Sequence, residues 1–124
     1  MERKKILVID DEEQILSLIE KKLKDNNYDC MVSSVAKEAL ILAKKFIPDL
    51  ILLDIALPEM DGYTIAAELK KEKATMDIPI VFLTGKELEP RAINERIGDI
   101  GACGFLMKPC SLKELLEKIK STIG

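Results

Sequence analysis

The sequence predicts one α/β domain spanning residues 1–124, with a five-stranded parallel sheet, doubly wound into three α/β/α layers. Three observations predict it. Short continuous apolar runs, Ile6-Leu7-Val8-Ile9, Leu50-Ile51-Leu52-Leu53 and Ile80-Val81-Phe82-Leu83, have the character of strands buried on both faces. Stretches with apolar residues at helical spacing follow them, and such alternation demands a parallel sheet covered by helices on both sides. The length of 124 residues is ordinary for a single domain, and no repeat, low-complexity segment or linker interrupts it.

Each element has its own justification. Ile6 to Ile9 forms the first strand. Glu12 to about Asn26 forms a helix through Ile15, Leu16, Leu18, Ile19 and Leu23, and Asn26-Asn27 breaks it. Tyr28 to Ser33 is a short mixed strand. Ser34 is placed to cap a second helix with the stripe Val35, Ala39, Leu42, Ala43 and Phe46, ended by Pro48. Leu50 to Leu53 is the most apolar run and so the expected central strand. Pro58 and Gly62 supply turn geometry in the loop IALPEMDG, and a helix runs from near Met60 or Tyr63 to about Lys73. Ile78 to Leu83 is a fourth strand with Pro79 near its start. Glu87 to Ile97 is a weaker helix that Pro90 interrupts early. Cys103 to Met107 is the fifth strand. Ser111-Leu112-Lys113-Glu114 is a capping box, opening a helix with Leu112, Leu115, Leu116, Ile119 and Ile123 on one face.

Composition excludes several classes of function. Apolar content of 48% and charged content of 33% fit a folded, soluble protein rather than a disordered one. The net charge of −3 gives no reason to expect nucleic-acid binding, which usually needs a basic patch. No apolar stretch is long enough to span a bilayer, and acids follow the first apolar run at once, so that run is a strand and not a leader. Histidine is absent, which removes Ser-His and Cys-His nucleophile pairs and most transition-metal sites. Cys30, Cys103 and Cys110 are odd in number and have no paired spacing. They fit reduced thiols in a cytoplasmic protein better than a disulfide framework or a zinc site.

Four groups stand where strands end: Asp10-Asp11, Asp54, Thr84 and Lys108. In an open parallel sheet the strand C-termini line one edge, where ligands bind, so these residues should meet. Three packed carboxylates repel, and protonation follows unless a cation sits among them. An oxygen-rich site with few ligands suits Mg²⁺. A carboxylate such as Asp54 can attack phosphorus to give an aspartyl phosphate. Mg²⁺ and Lys108 would neutralise the charge of the phosphoryl group, and the Thr84 hydroxyl would donate to it. Each residue alone has an ordinary reading. The acid pair suits a following helix N-terminus, Asp54 and Thr84-Gly85 suit turns, and Lys108 suits a solvated surface. The combination at successive strand ends is what points to one site.

The segments ILVIDDE, DLILLDIALPEMDG, PIVFLTG and GFLMKP together resemble the receiver domain of two-component response regulators, over essentially the whole chain. The resemblance implies a flavodoxin-like sheet of strand order 2-1-3-4-5. It implies Asp54 as phosphoacceptor, loaded by a sensor histidine kinase or a histidine phosphotransfer protein. Asp10, Asp11, Asp54 and the backbone carbonyl of Ala56 would hold Mg²⁺. Thr84 and Lys108 would sense the phosphoryl group, Phe105 would stand at the aromatic switch position, and the Lys108–Pro109 bond would be cis. The output would be a changed partner preference at the face formed by the fourth helix, fifth strand and fifth helix. Its reader would be a downstream effector or an output domain absent from this chain. Such a domain is a cytoplasmic signalling switch rather than an enzyme proper. It promotes its own phosphoryl transfer and, with Ala56 and Lys86 flanking the attacking water, slow self-dephosphorylation. The alternatives are a receiver-like interaction module that is never phosphorylated, an aspartyl-nucleophile phosphatase and a flavin-binding domain. Ala56 stands where the phosphatase expects a second acid. Asp10-Asp11-Glu12-Glu13 stands where the flavin domain expects a hydroxyl- and glycine-rich loop.

Overall fold

The computed structural model describes residues 2–85 and 88–124. The elements follow one another as β1 (Lys5–Ile9), α1 (Glu13–Asp25), β2 (Asp29–Ser33), α2 (Glu38–Phe46), β3 (Leu50–Asp54), α3 (Gly62–Lys71), β4 (Ile80–Thr84), α4 (Pro90–Ile100), β5 (Gly104–Met107) and α5 (Leu112–Ile123). The five strands pair in parallel in the order β2-β1-β3-β4-β5. The expected architecture is therefore present, with the apolar β3 at the centre.

Side-chain alternation divides the core in two. Leu7, Ile9, Ile51, Leu53, Ile80 and Phe82 face one way and are covered by α2, α3 and α4 through residues such as Ala39, Ala43, Ile65, Leu69 and Ile93. Ile6, Val8, Leu50, Leu52, Val81 and Leu83 face the other way, under Leu16, Ile19 and Leu23 of α1 and Leu115 and Ile119 of α5. A strand whose alternate residues are all buried must be apolar throughout, which is why the runs are continuous.

Helix boundaries show where local chemistry departs from the sequence reading. Ser34 does not cap α2. The Ser33 hydroxyl accepts from the Val35 amide at 3.1 Å, and Val35 to Lys37 form a turn before the helix begins at Glu38. Short side-chain hydrogen bonds of this type compete with helix initiation. Pro90 does not interrupt α4 but occupies its first turn, where a missing N–H costs nothing. The fourth helix accordingly lies later than expected, and its expected start at Glu87 falls outside the described residues. Residues 97–100 are its last turn, closed by the left-handed Gly101. The Ser111–Glu114 capping box of α5 is formed in full.

The register sets the heights of the strand ends. Ile9 lies beside Leu53, Asp54 beside Leu83, and Thr84 beside Met107. The residue after β1, the last residue of β3, the last residue of β4 and the residue after β5 thus reach one edge. Among the described residues, no helix is long and apolar enough to cross a membrane.

Candidate functional site

At that edge Asp10 leaves β1 with its carboxylate fully buried. Its Oδ1 accepts from the Glu12 amide at 2.9 Å. Asp54 ends β3 almost as deeply buried, and its Oδ1 accepts from the Ala56 amide at 3.1 Å. The Nζ of Lys108 joins the two, donating to Asp10 Oδ2 at 3.0 Å and to Asp54 Oδ2 at 3.2 Å. A third bond from the same nitrogen reaches Glu12 Oε1 at 3.2 Å. Lys108 is held in place from its backbone as well, since its amide donates to the Thr84 carbonyl at 2.6 Å. The Lys108–Pro109 bond is cis.

The backbone under Asp54 explains Gly62. Gly62 does not have a positive φ, so the turn-geometry reading is replaced by one of close approach. A Cβ at Gly62 would overlap the Asp54 carbonyl oxygen and lie 2.9 Å from the Ile55 Cα. The Gly62 amide donates to the Ile55 carbonyl at 2.8 Å, which folds the β3–α3 loop back beneath the strand end. Asp61 then caps α3 by accepting from the Thr64 amide at 2.8 Å.

Electrostatics at the edge are unbalanced. Burial, and next the charge of Asp10, raise the proton affinity of Asp54 to a pKa of about 7; Lys108 and the Ala56 amide only partly offset this. Burial opposes the charge on Lys108 too. Hydrogen bonding and charge from Asp10, followed by Asp54 and Glu12, outweigh it and hold the ammonium above the usual lysine range. One ammonium thus serves several acids, as expected where carboxylates share a site.

Carboxylate oxygens of Asp10, Asp11 and Glu12 lie within 4.8 Å of one another, a donor set of hard oxygens suited to a divalent cation. Asp11, Glu12, Asp54, Ala56, Gly85, Lys108 and Pro109 line an open cleft over the cluster. Thr84 is buried at the same edge, but its hydroxyl meets neither acid and instead donates to the Gly85 carbonyl at 3.2 Å. Phe105 is half-buried and packs on the Phe82 side of the sheet. Phe82 and Tyr63 form a T-shaped pair, 5.2 Å between ring centres, and the Arg96 guanidinium lies 4.6 Å over the Tyr63 ring. Lys86 lies outside the described residues. The residue that strand-end reasoning passed over is Glu12. The signal was a third acid directly after the pair, one turn of chain from the same edge.

Cys30, Cys103 and Cys110 are unpaired thiols, none of them among the converging acids. Burial pushes Cys30 up to about 12 and raises Cys110 as well, so neither is a ready thiolate.

Residues 6–120 match the family model of the response regulator receiver domain. The chain is 38% identical to a probable transcriptional regulator, ycf27, of Porphyridium aerugineum, over 99% of its own length and 49% of that protein's. It is 37% identical to the alkaline phosphatase synthesis transcriptional regulatory protein PhoP of Bacillus subtilis, over 97% of its own length and 48% of the relative's. The chain therefore spans about half the length of the curated relatives it matches. In structure it superimposes on the Vibrio cholerae chemotaxis protein CheY4 with a TM-score of 0.89 at 27% identity, covering 97% of this chain and 98% of that one.

Proposed function

The chain belongs to the response regulator receiver domain family, and from that premise we propose that it is a phosphorylation-controlled switch with Asp54 as phosphoacceptor. The observation that carries the reading is the convergence of Asp10, Asp54 and Lys108 through bonds of 3.0 and 3.2 Å from one ammonium. Buried acids joined by a single cation form a site prepared for further charge neutralisation, and a phosphoryl group needs it.

In this reading Asp54 Oδ forms a bond to phosphorus as the phosphorus–nitrogen bond of a phosphohistidine donor breaks, and the imidazole leaves with the bonding pair. The donor is a sensor histidine kinase or a histidine phosphotransfer protein. Lys108 stays within reach of the Asp54 carboxylate and meets the charge that arrives. Thr84 exchanges its bond to Gly85 for one to the phosphoryl group, and Phe105 follows by turning inward. The carboxylates of Asp10 and Asp11, close together at the edge, would hold Mg²⁺ with Asp54 and the Ala56 carbonyl, and the ion would supply charge neutralisation for the phosphoryl transfer.

The consequence is a population shift at the face formed by α4, β5 and α5, because charge added at Asp54 stabilises one arrangement of that face over another. Its reader is an effector protein or an output domain outside this chain, in keeping with relatives about twice as long that are named transcriptional regulators. The domain works in the cytoplasm as a signalling element. The exposed Ala56 has no polar group to orient a water, so self-dephosphorylation is slow.

Treatment with a small phosphodonor and Mg²⁺, read by intact mass, tests the proposal. A phosphoryl adduct is expected on the wild type and not on Asp54→Ala. Absence of any adduct on the wild type would favour a receiver-like module that works without phosphorylation.

A further inference from the structure

We propose that Glu12 is a positioning residue for Lys108, the partner that the ammonium releases when a phosphoryl group arrives. The inference rests on the phosphoacceptor reading of Asp54. An ammonium has three donors, and those of Lys108 are all engaged, by Asp10, Glu12 and Asp54. To meet a phosphoryl oxygen it must give one bond up. The side chain of Asp10 is 0% exposed, so leaving it strands a buried charge; that of Asp54 is 3% exposed, and once one of its oxygens carries phosphorus, leaving it strands the other as a buried acceptor. The side chain of Glu12 is 58% exposed and returns to water at small cost. Glu12 is thus the exchangeable contact.

Its local setting agrees. Glu12 is the N-cap residue of α1, yet its side chain makes no capping hydrogen bond. Its carboxylate turns back to Lys108 while its amide donates to Asp10 and its carbonyl accepts from the Leu16 amide at 3.1 Å. The side chain is therefore free to be changed without loss of the helix start. Glu13, the next residue, is an exposed acid that makes no bond to Lys108. It provides a control for the general effect of removing one negative charge.

The test is the affinity for beryllofluoride, a phosphoryl mimic, at saturating Mg²⁺, followed by fluorine NMR on the full chain. Glu12→Gln weakens the competition for Lys108, so binding tightens by about two- to fivefold, the range an exposed ion pair commands. Glu13→Gln leaves the affinity within experimental error of the wild type. Calorimetric titration of Mg²⁺ alone separates this role from that of a metal ligand. Glu12→Gln changes Mg²⁺ affinity less than about twofold if Glu12 serves Lys108, and weakens it by far more if its carboxylate holds the ion. Unchanged or weaker beryllofluoride binding by Glu12→Gln, equal tightening by Glu13→Gln, or a large loss of Mg²⁺ affinity would each overturn the inference while leaving the phosphoacceptor reading intact. A wild type that binds no beryllofluoride would overturn both.

Discussion

Lys108 brings one positive charge to a cluster that includes Asp10, Glu12 and Asp54, with Asp11 beside them. The consequence at the scale of a residue is a carboxyl group at position 54 that is reluctant to ionise, with a pKa raised from an ordinary value near 4 to about 7 by burial and by Asp10. Between those values the folded protein holds a proton that the unfolded chain has released. The contribution of Asp54 to stability is therefore fully present below about pH 4 and is lost as pH rises through about 7. In Mg²⁺-free buffer with a chelator, the unfolding free energy of Asp54→Asn should exceed that of the wild type by a margin that widens from pH 4.5 to 8. A margin independent of pH would contradict the electrostatic account. The sequence identified Asp10, Asp11, Asp54, Thr84 and Lys108 as strand-end groups because polar residues after apolar runs stand out. It did not identify Glu12, since an exposed acid at a helix start has an ordinary explanation and only the reach of Lys108 across the edge removes it.

Elements were legible wherever a periodic pattern had nothing to compete with it, as in α1 and α5. Boundaries were harder to read where short-range hydrogen bonds competed. Ser33, not Ser34, spends its hydroxyl on the Val35 amide, and α2 starts late. Pro90 reads as a breaker until its place in the first turn of α4 is known. The end of α2 holds a feature that no pattern reveals. Ile47, half exposed, sits in the left-handed region at φ 47° and ψ 64°, with Pro48 following, while Lys5 Nζ donates to the Phe46 carbonyl at 2.9 Å. A β-branched residue is strained there, and glycine is not. Ile47→Gly should raise the urea midpoint, with a gain of about 0.5–1 kcal/mol after the added freedom of the unfolded chain is subtracted. A lower midpoint would mean that the side chain contributes packing that its exposure does not suggest.

The whole molecule is a device for bringing chain-distant residues to one sheet edge. Alternating apolar strands and amphipathic helices made the parallel sheet predictable, and continuous burial on both faces explains why β1, β3 and β4 are mostly apolar. What the sequence could not supply was register. The heights of the strand ends follow from pairings such as Ile9 with Leu53 and Thr84 with Met107, and these place Asp10 and Asp54 within reach of one ammonium. Nor could it supply the close approach of Gly62 to the Asp54 backbone, which holds the end of the central strand against α3. In the proposed role, this edge loads a phosphoryl group on Asp54. An acyl phosphate is reduced by borohydride to an alcohol at the acceptor position, whereas a free carboxylate is not. After treatment with a small phosphodonor and Mg²⁺, then borohydride, peptide sequencing by mass spectrometry should find the reduced side chain at position 54. Reduction at another acid, or at none, would contradict the account.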